Sequence, residues 1–144
     1  MKIEPYLLFF DGRAEEALDF YQQALGAQVE SRMRYSDSPE PVPAEYIPPG
    51  GPQKLMHASF LLDGQRVMLS DDVPGQRSGF SGFSLTLQYE SEEQVRSVFD
   101  KLADGGRVVM PPGATFFSPC YGQLFDRFGV QWMVMVSPEP AAQA

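Results

Sequence analysis

Apolar and polar residues follow two rhythms along this chain, and the rhythm changes at glycines, prolines and acidic turns. Residues 6–10, YLLFF, are a short apolar run ended by Asp11-Gly12, which predicts a buried strand. In the following GRAEEALDFYQQALGA, Ala14, Ala17, Leu18, Tyr21 and Leu25 recur every three or four residues, so one apolar stripe runs along a helix. Glu15 and Glu16 suit the positive end of its dipole. Gly26 stands where a left-handed C-terminal cap is expected. Residues 29–35 read as a second strand.

Residues 37–53, DSPEPVPAEYIPPGGPQ, break both rhythms. Pro39, Pro41, Pro43, Pro48, Pro49 and Pro52 exclude a regular helix or central strand. Tyr46 and Ile47 within this loop suggest a cover packed on something. Beyond it, QKLMHASFLLDGQRVMLSDD holds two apolar segments around Asp63-Gly64, a two-residue hairpin signal. Counting outward from that turn sets Leu62 against Gln65, Ser59 against Met68 and His57 against Ser70. One face then carries Ala58, Phe60, Leu62, Val67 and Leu69, and should pack on a helix. The other carries His57, Ser59, Leu61, Arg66, Met68 and Ser70, a mixture suited to the wall of a pocket.

The order then repeats. A strand is expected over 80–89. Ser91-Glu92-Glu93-Gln94 has the form of a capping box, and Val95, Val98, Phe99 and Leu102 form a helical stripe that Gly105-Gly106 ends. A strand at 108–110, a loop-rich PPGATFFSPCYG and a last strand in DRFGVQWMVMVS follow. Glu15, Glu16 and Leu25 match Glu92, Glu93 and Leu102 at an offset of 77, which also sets Tyr6 on Phe83. DGQRVML matches FGVQWMV at an offset of 65, which sets Met68 on Met133. The shared order of elements points to an internal duplication. Module boundaries are expected near 3–73 and 79–137 within a single domain, with 138–144 a disordered tail.

Composition narrows the function classes. The formal net charge of −8 disfavours nucleic acid, whose phosphates need clustered Lys and Arg. Cys120 is the one cysteine, so no intrachain disulfide forms, and a cytoplasmic setting is expected. MKIEPYLLFFDG does not read as a signal peptide, and no apolar run is long enough to span a membrane.

PYLLFFDGRAEEALDFYQQALGA, MHASFLLDGQRVMLSDD, FSGFSLTLQY and DRFGVQWMV together resemble the vicinal oxygen chelate superfamily, the glyoxalase, bleomycin-resistance and dioxygenase class, and within it the PhnB-like branch. The resemblance spreads over nearly the whole chain. It implies an α+β fold of two βαβββ modules that form a curved mixed sheet around a cavity, and a homodimer. Metal-dependent relatives carry His or Glu at four positions, which fall here on Tyr6, Met68, Phe83 and Met133. None of these is a ligand that divalent metals favour in such sites. The resemblance therefore implies no metal. Some branch members carry a ubiquinone-pathway methyltransferase label, but no glycine-rich nucleotide-binding turn follows a strand here.

His57 is a candidate general base, ligand-orienting donor or structural residue; its place on the mixed face across from Ser70 argues for function. Asp71 and Asp72 are strand-end turn residues or acid–base groups, and alternation puts Asp72 on the His57 face. Phe116, Phe117, Tyr121, Phe125 and Trp132 are candidates for an aromatic clamp or for ordinary core packing, and Trp132 should face a helix. Met68, Met133 and Met135 would give an adaptable apolar floor or plain core. Cys120 has no partner that would make it a nucleophile. The expectation is a protein that binds or sequesters a small organic molecule in its sheet cavity, through Tyr6, Met68, Ser70, Phe83 and Met133, with His57 the candidate catalytic residue. The alternative is a lyase or dioxygenase of the superfamily type. It would use a divalent metal displaced to His57 with Asp71 or Asp72, or His57 as a metal-free base. A purely structural role would instead leave the cavity filled.

Overall fold

In the computed structural model, which describes residues 1–138, the first apolar run forms β1 (Tyr6–Phe9). It leads into α1 (Ala14–Leu25), then β2 (Gln28–Arg34), β3 (Leu55–Leu62) and β4 (Gln65–Asp71). The second half repeats the order with β5 (Leu85–Tyr89), α2 (Glu92–Ala103), β6 (Arg107–Gly113), β7 (Tyr121–Phe125) and β8 (Gln131–Val136). The chain divides at Gly79, and each half builds its own four-stranded sheet. The strand orders are β1-β4-β3-β2 and β5-β8-β7-β6. In both, the first strand runs parallel to the last and the other pairs are antiparallel. Two βαβββ modules of identical topology result.

Amphipathic pattern explains each helix. Ala14, Ala17, Leu18, Tyr21 and Ala24 are buried along α1, and Tyr21 meets Phe60 of β3 with ring centroids 5.7 Å apart. Each of these two large side chains contributes about 2 kcal/mol by leaving water. The stripe differs from the expected one at its end, where Ala24 is buried and Leu25 only partly so. Gly26 takes the left-handed conformation at φ 69° and donates its N–H to the Gln22 carbonyl, which ends the helix. In α2, Ser91 Oγ accepts from the Gln94 N–H, and Gln94 Oε1 accepts from the Ser91 N–H, so the capping box forms. Val95, Phe99 and Leu102 are its buried stripe. At Gly122 a Cβ would stand 2.7 Å from the Phe99 ring, so only glycine lets α2 lie this close to β7.

The hairpin pairs as counted. Leu62 faces Gln65 and Ser59 faces Met68, with Asp63 and Gly64 at φ 48° and 79° in the turn. On the expected helix-facing surface Ala58, Phe60, Val67 and Leu69 are core and Leu62 is half-buried, while on the other face Ser59 and Ser70 are buried too.

Three expectations need correction. The strand expected over 80–89 begins only at Leu85, because Gly82 at φ 81° interrupts the extended run. The strand expected at 108–110 runs from Arg107 to Gly113 and includes Pro111 and Pro112. It is an edge strand with register shifts on either side of Met110, and an edge leaves room for residues without an N–H. Within the proline-rich segment, which carries short 3-10 turns at Tyr35–Asp37 and Ala44–Tyr46, Tyr46 is 61% exposed rather than packed, whereas Ile47 is half-buried and Pro48 is buried. The expected tail lies outside the described residues apart from Pro138.

Register also corrects the repeat. Tyr6 pairs with Met68, and the equivalent pair in the second module is Thr86 with Met133, so Thr86 rather than Phe83 answers to Tyr6. Along the helices, an offset of 78 rather than 77 puts buried on buried: Ala17 on Val95, Tyr21 on Phe99 and Ala24 on Leu102.

Candidate functional site

Strand alternation sorts the first module's sheet into two surfaces. One is the apolar surface under α1. The other collects Tyr6 and Leu8 from β1, Met68 and Ser70 from β4, His57 and Ser59 from β3, and Ser31 and Met33 from β2. The register partners are Tyr6 with Met68, Leu8 with Ser70, Ser59 with Met68, Ser31 with Ser59, and Met33 with His57. The Ala58–Leu69 pair places His57 and Ser70 next along the same two strands.

At the centre of this surface the Tyr6 phenol oxygen lies 3.0 Å from His57 Nδ1, and the two rings are tilted with centroids 5.7 Å apart. Among the described residues this is the hydrogen bond that His57 makes. His57 is half-buried and Tyr6 is 41% exposed, so the pair is open to a ligand. At one end, Ser70 Oγ donates to Asp72 Oδ2 at 2.5 Å. Tyr35, which no sequence argument singled out, donates its phenol proton to the Asp71 carbonyl at 2.6 Å. Burial first, then the charges of Asp72 and Asp71 and finally Tyr6, push the Tyr35 phenol up to about 12, so it is a hydroxyl donor at neutral pH. At the other end Arg66 binds Glu30 through two nitrogens, at 2.7 and 3.0 Å, and reaches Glu4 at 3.3 Å. Ser59 also donates to Glu30. The Arg66 hydrogen bond holds the Glu30 carboxyl below its ordinary range. This ion cluster is internally satisfied.

Asp71 has a different task. It is fully buried, and its two carboxylate oxygens accept the backbone N–H groups of Ala14 and Leu55, each at 2.9 Å. Arg13, at the N-cap position of α1, makes no side-chain capping bond, so the cap comes from β4, fifty-seven residues along the chain. Burial pushes the Asp71 carboxyl up, opposed by those two backbone donors. Asp71 and Asp72 therefore part company: the first is a structural clamp, and the second belongs to the surface that carries Ser70.

In the second module Phe116, Phe117 and Tyr121 stack edge to face, with centroids 5.2 and 4.9 Å apart, although Phe116 is wholly exposed. Phe125 instead lies under the Arg107 guanidinium at 4.6 Å. Trp132 is fully buried and donates its indole N–H to Asp126. The five aromatics do not form one clamp. Phe83 packs edge-on against Phe80, ahead of β5. Met133 is half-buried beside Thr86, and Met135 is buried. Burial pushes the Cys120 thiol up, which leaves it a poor nucleophile.

A divalent metal does not fit. Among the described residues no three His, Cys, Asp or Glu side chains converge to hold one. His57 faces a tyrosine, Asp71 is occupied by two backbone donors, and the Tyr6–Met68 and Thr86–Met133 pairs offer a phenol, a hydroxyl and two thioethers. This residue set favours a protein without a metal cofactor over a metal-dependent one.

Two βαβββ modules, each with its first strand parallel to its last, define a glyoxalase-like α+β protein. The chain belongs to the Glyoxalase/Bleomycin resistance protein/Dioxygenase superfamily, whose sequence profile matches residues 4–134. It is similar to protein PA1353 from Pseudomonas aeruginosa, at 36% identity and a TM-score of 0.82 over 96% of this chain and 99% of that one. The PhnB-like branch is supported by a solved structure from Bacillus cereus, a PhnB protein and putative 3-demethylubiquinone-9 3-methyltransferase. It is 34% identical with a TM-score of 0.77, over 95% of this chain and all of that one. Protein YjdN of Escherichia coli K12 is 32% identical over 99% of this chain and 100% of its own length. No helix among the described residues is long and apolar enough to cross a membrane.

Proposed function

We propose that this protein binds a small organic molecule on the first module's open sheet surface, through Tyr6, His57 and Met68, backed by Ser70, which is buried and donates to Asp72, and does so without the superfamily's metal. The observation that carries the reading is the Tyr6–His57 hydrogen bond at 3.0 Å. It stands at the register position, opposite Met68, where the resemblance to metal-dependent relatives implies a metal ligand. A phenol–imidazole pair offers directed hydrogen bonding, and the flanking thioethers offer an adaptable apolar contact. Met133 beside Thr86 is the corresponding surface of the second module, and Phe83 lies off that strand, so the proposal rests on the first module. A homodimer and a cytoplasmic setting remain part of the proposal.

The metal-dependent alternative centred on His57 draws little support from its neighbours, since Asp71 is committed to the backbone and Asp72 to Ser70. The methyltransferase description of the Bacillus cereus relative finds no counterpart in the β1–α1 turn, Phe10-Asp11-Gly12-Arg13, which lacks a glycine-rich phosphate loop.

The test is thermal unfolding of metal-stripped protein against Ni²⁺, Zn²⁺, Mn²⁺ and Fe²⁺, and against a panel of neutral and cationic aromatic compounds. A ligand at a hundredfold excess over its Kd stabilises the native state by about 2.7 kcal/mol, which raises the melting temperature by roughly 9 °C for a chain of this size. The expected result is no saturable shift with any metal and a saturable shift with an organic ligand that is lost in His57→Ala. A metal-induced shift that disappears in His57→Ala would overturn the proposal in favour of the metalloenzyme.

A further inference from the structure

A neutral imidazole has one nitrogen that donates and one that accepts, so the partner of Nδ1 decides what Nε2 does. At His57 that partner is the Tyr6 phenol, 3.0 Å away, and no second hydrogen bond to His57 forms among the described residues. Two arrangements satisfy the distance. Either the phenol donates to Nδ1, or an Nδ1–H donates to the phenol oxygen. A phenol, with an ordinary pKa of about 10, is a far stronger donor than a neutral imidazole N–H, and imidazole, at about 6.5, is a far stronger base than a phenol oxygen. The O–H···N arrangement is therefore the more stable.

We infer that Tyr6 is a positioning residue that locks His57 as the Nε2–H tautomer, and that His57 Nε2–H is a donor for an acceptor oxygen on a neutral, largely apolar ligand. This rests on the proposed binding surface and adds the ligand's chemistry. The acceptor oxygen follows from the tautomer. The apolar body follows from the strand partners, since Met33 pairs with His57 and Met68 with Tyr6, and two polarisable thioethers flank the donor. Charge disfavours an anion, since Asp72 lies on the same surface and the chain carries −8, and a cationic group has no use for an N–H donor, which leaves a neutral acceptor at this position. An aryl ketone has this combination of features.

The experiment reads the tautomer directly. Heteronuclear NMR of isotope-labelled protein distinguishes a protonated ring nitrogen from a bare one. The expected spectrum has a protonated Nε2 and a bare Nδ1, collapsing in Tyr6→Phe toward the average of the two tautomers. A protonated Nδ1, or a spectrum unchanged by Tyr6→Phe, would overturn the inference; a purely structural role for Tyr6 would not move this signature. The second arm compares acetophenone with α-methylstyrene, which share a planar branched shape but differ in the acceptor oxygen. Acetophenone should bind about tenfold more tightly, the worth of one hydrogen bond, and lose that advantage in His57→Phe. Equal affinities would overturn the acceptor-oxygen assignment. Binding of neither probe at any accessible concentration would count against the binding surface itself, whereas the tautomer result stands or falls independently.

Discussion

Removing the Asp71 carboxylate tests how this fold joins its helix to its sheet. Asp71→Ala leaves the Ala14 and Leu55 N–H groups without acceptors in a fully buried setting. An orphaned buried donor costs about 1–3 kcal/mol, so two cost about 2–6 kcal/mol. Part of this is offset, because burial already disfavours the charge, as the raised carboxyl pKa reflects. A net loss of about 3 kcal/mol is expected, a large share of the ~5–15 kcal/mol that holds a typical domain together. In equilibrium urea unfolding at neutral pH, with a slope of about 2 kcal/mol per molar, the midpoint should fall by about 1.5 M at unchanged slope. Asp71→Asn keeps one acceptor oxygen but points an N–H₂ group at the second donor, so it should lie between the two. A midpoint within about 0.3 M of wild type for Asp71→Ala would refute the reasoning, since less than ~1 kcal/mol cannot accommodate two orphaned donors.

Tyr35 supplies a pH dependence. Its phenol is raised to about 12 in the folded protein, so the native state holds that proton more firmly than the unfolded chain does. The associated stability is complete below the ordinary tyrosine range, about 10, and is lost as pH climbs through the folded value. Ultraviolet difference titration should show a late tyrosinate that Tyr35→Phe removes; a titration unchanged by the substitution would contradict the burial argument. Two glycines separate backbone strain from crowding. Gly26→Ala meets no atom within 4 Å and should cost about 1 kcal/mol for its left-handed backbone alone, whereas Gly122→Ala drives a methyl group into the Phe99 ring and should cost about 2–3 kcal/mol. Melting temperatures in the reverse order would show that α2 yields to the added methyl.

How far each feature could be read in advance depended on whether it was local. The capping box at Ser91 and Gln94, the Gly26 cap and the Asp63-Gly64 turn depend on residues a few positions apart, so spacing alone located them. The β3–β4 pairing followed because a two-residue turn leaves one register. Met33 and Tyr35 went unread because the β2–β3 connection spans residues 35–54, and no count along so long an excursion fixes which residues meet His57. The clamp role of Asp71 was hidden for a similar reason: its partners lie fifty-seven and sixteen residues away, and nothing in SDD distinguishes a buried carboxylate from an exposed one. Phe83 was misplaced because a repeat offset drawn from the helices was carried onto the strands, while the β1–α1 and β5–α2 turns differ in length by two residues.

The β2–β3 connection is thirteen residues longer than its counterpart between Gly113 and Tyr121, and that excess distinguishes the two copies more than any other connection does. Closing a loop nearly three times as long costs only about 1 kcal/mol more in chain entropy. Six prolines lie within it, and each one compatible with the native backbone removes unfolded-state freedom worth about 0.4–1 kcal/mol. The prolines thus outweigh the added closure entropy and offset part of the cost of ordering the extra residues. Apart from Tyr35, which donates to the Asp71 carbonyl, buried Pro48, and Lys54, which donates to the Gly12 carbonyl, the connection's exposed residues can change without threatening the sheet, so new side chains can be tried there while the duplicated framework stays unchanged.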